Sequence, residues 1–239
     1  MSADAVPVAA VVAVALCGWT LTIWQASGMG GMTAAELAVP AFLLMWVGMM
    51  VAMMGPTIVP LVRAHLLVVR KQGRASSDTV ALVAGYFAIW FAIGLLPAAL
   101  FAFVQRGYPG LPIAFRFIAA TVLVLAGLYQ FTDLKSACLR ACRSPLSFLM
   151  THDFGAGAPG AFGSGLAHGL YCLGCCWALM VVLGVVGFMN LAWMAALSLL
   201  FFLEKNWRFG ASLSRAAGAA VAGLGVLVGI VPGLLGAIS

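Results

Sequence analysis

Apolar segments of 13 to 26 residues alternate with short polar segments along almost the whole chain. An α-helix needs about 20 apolar residues to cross the hydrocarbon core of a bilayer, so the longer segments are candidate membrane spans. The pattern predicts an all-α, polytopic membrane helix bundle with one transmembrane domain over residues 1–239. Its seven predicted transmembrane helices cover residues 6–26, 38–62, 80–104, 113–131, 161–186, 191–203 and 213–235.

Two polar features separate or end these spans. The stretch 133–160 lies between the fourth and fifth spans, and within it Ser144 and Pro145 are typical of the N-cap and first position of a short interfacial helix. The sixth span is short and ends at Glu204 and Lys205. We expect these two side chains to extend to the membrane interface.

Composition and charge agree with a membrane protein. The chain is 64% hydrophobic and 8% charged, with a mean hydropathy of +1.14, whereas soluble domains are about 25% charged. If the N-terminus is cytoplasmic, the inside loops hold ten Lys and Arg residues and the outside loops hold two. Because positively charged loops stay in the cytoplasm, we predict a cytoplasmic N-terminus and an outside C-terminus. The net charge of +6 reflects this orientation, so we expect the lipid bilayer as a partner and no nucleic acid.

Three cysteines and a histidine stand together in the fifth span. Cys172, Cys175 and Cys176 follow His168 by four, seven and eight residues, and such spacings lie along one side of a helix. At 1.5 Å per residue, Cys172 is about 16 Å into the span, near the middle of the bilayer. We predict a metal site here, with the three cysteines as principal ligands and His168 as a candidate to complete the shell. The second span supplies further candidate ligands at a comparable depth, namely Met50, Met53 and Met54.

The positions of the acidic residues indicate the kind of metal. Asp and Glu occur six times, and none is near the middle of a predicted span. Hard divalent cations and proton-coupled carriers use carboxylates within the membrane, whereas thiolate, thioether and imidazole groups bind soft ions. We therefore expect copper, as Cu(I), with zinc and mercury as alternatives.

A second thiol pair, Cys138 and Cys142, is spaced i and i+4 just past the fourth span, on the predicted cytoplasmic side. It is a candidate donor or acceptor of metal for the membrane cluster. Together with Cys172 and Cys175 it also resembles the two dithiols of membrane thiol oxidoreductases, although cytoplasmic thiols are kept reduced. Further alternatives are a membrane-embedded metalloenzyme, an accessory subunit, or a structural subunit of a larger membrane complex.

Small residues predict close helix packing, because they let two backbones approach. One stripe lies in the last span and a second set lies on the cysteine-bearing helix. They are Gly225, Gly229 and Gly233, and Gly165, Gly169 and Gly174.

Several short motifs occur together between residues 42 and 207. They are Trp46, Met50, Met53, Met54 and Pro56; Gly127, Leu128, Tyr129 and Gln130 with Thr132, Lys135, Cys138, Cys142 and Arg143; Cys172, Leu173, Gly174, Cys175, Cys176 and Trp177 with Leu179 and Met180; and Gly187, Met189, Asn190, Glu204 and Lys205. This combination resembles a bacterial family of integral membrane proteins of unknown function that are described as predicted metal-binding. The resemblance implies a metal site in a multi-pass protein of the bacterial inner membrane, and it names neither metal nor reaction.

The leading hypothesis joins these observations. We expect a soft-metal site between the second and fifth spans, in a protein that moves copper across the membrane or loads it into a partner. Other membrane subunits or a metal chaperone are the expected partners. Whether the chain is an enzyme stays open, and without a nucleotide-binding loop any use of ATP would need a partner.

Overall fold

The computed structural model describes residues 5–28, 39–107, 112–152, 157–187, 190–231 and 233–238. Within these ranges the chain forms ten α-helices and no strand, which confirms the all-α prediction. The helices are α1 (Ala5–Gly28), α2 (Val39–Lys71), α3 (Ser77–Gly107), α4 (Pro112–Tyr129), α5 (Asp133–Arg143), α6 (Pro145–Thr151), α7 (Gly157–Val186), α8 (Leu191–Asn206), α9 (Gly210–Ile230) and α10 (Leu234–Ile238).

Five of the described helices are long and apolar enough to cross a membrane, namely α1, α2, α3, α7 and α9. A sixth candidate forms if α4 and α5, which are bent by 61° relative to each other, count as one broken span or re-entrant loop. Helix α8 has 16 residues, about 24 Å at 1.5 Å per residue, which is less than the ~30 Å core of a bilayer. The predicted count of seven spans and the predicted orientation of the termini are therefore not confirmed.

The break between α4 and α5 has a local cause. Thr132 is the N-cap of α5, and its hydroxyl accepts a hydrogen bond from the backbone N–H of Lys135 at 3.3 Å. Such caps satisfy donors that have no partner within the helix. Asp133 adds a negative charge at the positive end of the new helix. The chain therefore starts a second helix here, and α5 packs against α6, α7 and α8.

The short helix predicted at Pro145 is present as α6. Pro145 occupies its first turn and Ser144 its N-cap position, as the sequence indicated, but the Ser144 side chain makes no capping hydrogen bond. Helix α6 contacts α2 and α5. It therefore lies against the bundle and brings Phe148 into the core.

Glycines on α3 and α7 let these two helices pack backbone to backbone. A Cβ atom on Gly165 would overlap the carbonyl oxygen of Leu82, and one on Gly169 would lie 2.9 Å from Cγ1 of Ile89. Neither side chain can be added without separating the helices. The predicted role of Gly165 and Gly169 in close packing is confirmed, and the same contact brings Tyr86 of α3 beside α7.

The glycine stripe predicted in the last span is confirmed in part. A Cβ on Gly225 would lie 2.8 Å from the backbone nitrogen of Val124 of α4, whereas one on Gly229 would make an ordinary 3.5 Å contact. Gly233 lies beyond the end of α9, where its φ of +84° forms the turn into α10. The stripe therefore stops one position earlier than predicted, because the helix ends at residue 230.

The core is built around the middle of α2 and of α7. Helix α2 contacts α1, α3, α6 and α8, and it buries a run of methionines that includes Met49, Met50, Met53 and Met54. Cys172 is the sixteenth of the 30 residues of α7, so it lies at the middle of the helix. The predicted depth of Cys172 in the bilayer stays a prediction.

Candidate metal centre

Three thiols form a compact buried group. The Sγ atoms of Cys142, Cys172 and Cys175 all lie within 4.8 Å of one another, and the Cys142 and Cys175 sulfurs are 3.9 Å apart. Cys172 and Cys175 are one turn apart on α7, and Cys142 comes from α5. The bend after α4 is what turns Cys142 towards α7.

The predicted second thiol pair is therefore divided. Cys142 belongs with the cysteines of α7, while Cys138 lies against Gly174, where an added Cβ would be 2.6 Å from the Cys138 sulfur. Both α5 cysteines are buried. The two cysteines therefore do not form a pair separate from the cysteines of α7, because α5 folds back onto α7. The predicted cytoplasmic side of this pair stays a prediction.

Two further sulfur atoms adjoin the group. The Sγ atom of Cys176 is 3.4 Å from that of Cys175, and the Sδ atom of Met54 is 4.0 Å from the Sγ atom of Cys172. Met50 and Met53 are fully buried on the same stretch of α2. The methionine-rich helix thus meets the cysteine helix through Met54, as the comparable depths of the two groups predicted.

His168 lies beside the thiol group and is not one of its three members. It is buried and packs against the rings of Tyr86 and Phe148, with centroid distances of 5.9 Å and 4.8 Å. Its Nδ1 atom is buried and has no hydrogen-bond partner among the described residues. The ring is therefore held by aromatic packing, with one nitrogen unused.

A lysine ammonium touches the thiol group directly. The Nζ atom of Lys205 is 3.0 Å from the Cys172 sulfur and 3.3 Å from the Thr57 hydroxyl oxygen. The predicted extension of Glu204 and Lys205 to the membrane interface is wrong, because both side chains are buried. A buried charge requires a close partner of opposite charge or a strong hydrogen bond. Lys205 has such a partner in the sulfur of Cys172 when that thiol is ionised.

A buried ion pair supports the other side of the group. The Lys135 ammonium lies 2.9 Å from a carboxylate oxygen of Glu204 and also donates to the backbone carbonyl of Cys175. Arg143 donates to the backbone carbonyl of Glu204 at 2.8 Å. Glu204 is near the end of α8, as predicted, but it is buried, and Lys135 neutralises its charge. The other carboxylate oxygen of Glu204 has no partner in the part of the chain that is described.

Two tyrosines complete the surroundings. The Tyr86 hydroxyl is 3.0 Å from the Cys172 sulfur, and the Tyr129 hydroxyl donates to the carbonyl of Gly174 at 2.6 Å. Tyr86 was not predictable from the sequence, since a single tyrosine in an apolar helix carries no spacing signal. Lys135 and Lys205 did stand in the motifs of the resemblance, without a role assigned to them.

The sulfur separations fit a single soft metal ion. Metal–thiolate bonds of about 2.3 Å with trigonal geometry place the sulfurs about 4.0 Å apart. The observed separations, 3.9 Å between Cys142 and Cys175 and at most 4.8 Å for the other two pairs, are close to this value. The Lys205 ammonium offsets part of the negative charge that thiolate ligands bring.

The family model described as copper chaperone, PpoB2, matches residues 43–228. The chain belongs to the PpoB2 copper chaperone family. The match extends from α2 to α9. It includes the three cysteines of the thiol group and the neighbouring Cys176, Met54 and Lys205. The search of curated proteins and the search of solved structures gave no match.

Membership of the copper chaperone family agrees with the predicted chemistry. A metal-binding family was expected from the resemblance, and copper was the metal expected from the soft ligands. The family and the buried cysteine group together support copper binding by this chain.

Proposed function

We propose that this chain is a membrane-embedded copper chaperone, which takes up Cu(I) as cargo on buried thiolates and passes it to a partner. Cys142, Cys172 and Cys175 are the proposed primary ligands. The observation that carries the proposal is the approach of their three sulfurs to within 4.8 Å of one another, away from solvent. Cys176, Met54, His168, Met50 and Met53 are proposed as the supporting donors through which the ion enters and leaves.

The site chemistry favours Cu(I) over zinc, and membership of the copper chaperone family favours it over mercury. Cu(I) prefers thiolate and thioether sulfur, and both lie at Cys172. A structural zinc site is almost always tetrahedral with four ligands, whereas the sulfurs of Cys142, Cys172 and Cys175 form a triangle. One carboxylate oxygen of Glu204 is held by Lys135, and among the described residues no carboxylate belongs to the group formed by the three thiols.

The proposed location is the bacterial inner membrane, with the N-terminus cytoplasmic. Five apolar helices of sufficient length favour a multi-pass protein, and the excess of Lys and Arg in alternate loops favours this orientation. A chaperone at this position would receive copper from the membrane or a soluble metal carrier. It would release copper to another membrane subunit or a metal chaperone.

Metal analysis of purified protein tests the proposal. The chain is purified in detergent without oxygen, exposed to Cu(I), and its copper and zinc contents are measured by elemental analysis. The variant Cys142→Ser/Cys172→Ser/Cys175→Ser is expected to lose the copper that the wild type retains. The control is Cys17→Ser, since Cys17 is exposed on α1 and this change is expected to leave the copper content unaltered. Equal copper and zinc in the triple variant and the wild type would refute the proposal.

A membrane thiol oxidoreductase is the second candidate, favoured by the separations of 3.4 Å and 3.9 Å from the Cys175 sulfur to those of Cys176 and Cys142. Against it, reactive redox thiols are partly exposed, whereas these thiols and Cys172 are buried. Mass-tag labelling of thiols in intact cells separates the two candidates. A reversible disulfide in a large fraction of the chains would favour the oxidoreductase, and fully reduced thiols would favour the chaperone.

A further inference from the structure

We propose that Cu(I) passes between the protein surface and the thiol group along a route formed by His152 and His168, with the ring of Phe148 as the barrier between them. The two imidazoles bind the ion in transit and are not ligands of the resting site. This inference rests on the proposed copper-binding function, and it adds the entrance of the site and the residues that act there.

His168 is the inner residue of the route. It precedes Cys172 by four residues on α7, and side chains at this spacing are neighbours on a helix surface. Tyr86 lies against both residues, with its hydroxyl 3.0 Å from the Cys172 sulfur and its ring centroid 5.9 Å from that of His168. The His168 ring therefore adjoins one of the three thiols of the group.

The unpaired nitrogen of His168 suits a soft ion. Among the described residues, five buried side-chain atoms have no hydrogen-bond partner: Gln25 Oε1, Trp90 Nε1, Arg116 Nε, His168 Nδ1 and Glu204 Oε1. The indole and guanidinium nitrogens are donors without a free lone pair, and amide and carboxylate oxygens suit hard ions. Imidazole nitrogen binds copper. Of these atoms, the His168 nitrogen is thus the one that fits Cu(I), and it is beside the thiol group.

His152 is the outer residue, half-buried at the end of α6. Its Nδ1 atom lies 3.3 Å from the backbone carbonyl oxygen of Phe148, so Nδ1 carries the proton and Nε2 has the lone pair. Metal-binding histidines commonly donate their other ring N–H to a backbone carbonyl in this way. The Nε2 atom faces the Tyr171 hydroxyl at 3.3 Å, a long contact that a metal ion can replace.

The ring of Phe148 closes the route between the two histidines. Its centroid is 4.4 Å from that of the His152 ring, which it stacks on, and 4.8 Å from that of the His168 ring, which it meets at 75°. Phe148 is buried, and its ring offers no donor atom to a metal ion. The ion therefore passes only when this ring turns aside. When the ring returns, the thiol group is closed off from solvent again.

Transfer kinetics test this inference. The full-length protein in detergent takes up Cu(I) from a chromophoric Cu(I) complex, and excess chelator later removes it, while stopped-flow absorbance gives both rates. His152→Leu and His168→Leu are each expected to slow uptake and removal by about tenfold, equivalent to about 1.4 kcal/mol of activation free energy. A ligand used only in transit changes both rates by the same factor, so the Kd is expected to stay within about threefold. Phe148→Ala is expected to raise both rates by about tenfold.

Matched variants separate a ligand from a packing role. His168→Met has nearly the volume of His168→Leu and supplies a thioether that binds Cu(I), so it is expected to restore most of the wild-type rate. His65→Leu also replaces a buried histidine, one that is hydrogen-bonded to Thr79. Phe42→Ala removes a buried phenylalanine of α2. Both of these controls are expected to keep the wild-type rates.

The outcomes separate this inference from the proposed function. Unchanged rates in His152→Leu or His168→Leu, or a rate in His168→Met as slow as in His168→Leu, would overturn the route. A loss of Cu(I) affinity of about tenfold or more in His168→Leu would place His168 in the resting site and overturn its role in transit. Unchanged rates in Phe148→Ala, or an equal gain in Phe42→Ala, would overturn the barrier. All of these leave copper binding intact, whereas no bound copper in the wild type would overturn the proposed function itself.

Discussion

Replacing Lys205 by methionine tests how much the buried ammonium contributes to copper binding. The charge lies 3.0 Å from the Cys172 sulfur, which corresponds to roughly 5–6 kcal/mol of Coulomb energy at an effective dielectric constant of about 20. Most of this is offset by the cost of burying the ammonium. The net contribution of a hydrogen bond to a charged group is about 1.5–3 kcal/mol, so Lys205→Met is expected to weaken Cu(I) binding about 10- to 150-fold.

Competition against a chromophoric Cu(I) chelator in detergent measures this change at a fixed pH. The matched control is Lys71→Met, which removes the same charge from an exposed position at the end of α2. It is expected to leave the Cu(I) affinity unchanged. Size-exclusion profiles and circular dichroism confirm that both variants are folded. If Lys205→Met and Lys71→Met bind Cu(I) within about threefold of each other, the role assigned to the Lys205 ammonium is refuted.

Three further substitutions have expected outcomes. Gly165→Ala places a Cβ against a backbone carbonyl of α3, and the unfolding free energy is expected to fall by about 1–3 kcal/mol, measured by thermal or denaturant unfolding. Cys175→Ser is expected to weaken Cu(I) binding more than about 100-fold, since even changes behind a ligand cost 10–100-fold, whereas Cys138→Ser is expected to change it less than about tenfold. Glu204→Gln leaves the Lys135 ammonium without its carboxylate and is expected to cost about 3–5 kcal/mol of stability.

Each stability prediction has a matched control. Gly223→Ala is also in a helix, but an added Cβ there meets nothing within 4 Å, so the change is expected to be neutral or stabilising by up to about 1 kcal/mol. Asp133→Asn removes an exposed acidic charge at the start of α5 and is expected to cost less than about 1 kcal/mol. If the unfolding free energy falls by similar amounts in Gly165→Ala and Gly223→Ala, close packing of α3 on α7 is not the reason for the loss of stability. If the unfolding free energy falls no more in Glu204→Gln than in Asp133→Asn, the buried Lys135–Glu204 ion pair does not stabilise the protein as proposed.

Most helices were predictable because long apolar runs have few other structures available. The boundaries were less predictable. Helix α2 continues to Lys71 instead of ending near residue 62, since its last turns bury Leu66 and Val69 while they carry basic residues on the other face. Helix α7 begins at Gly157, four residues before the predicted start, in a segment whose glycines and proline give no apolar signal.

The site was predictable only where its residues share a helix. Helical spacing related Cys172 to Cys175 and also to His168, but it holds no information about the neighbours that other helices supply. Cys142 joins the group because the capped break at residue 132 turns α5 back. Lys205 was expected at the interface on the basis of its charge, and it is instead held in the core by the Cys172 sulfur, a partner 33 residues away.

The thiol group has a consequence for the order in which the protein is made. Its parts come from four helices, with Met54 on α2, Cys142 on α5, Cys172 and Cys175 on α7, and Lys205 on α8. During synthesis from the N-terminus, the charge of Lys205 reaches the site only after all the sulfurs are in place. Copper is therefore bound at full affinity only once α8 has been inserted. Unfinished or truncated chains that lack α8 would therefore bind the metal more weakly than the finished protein.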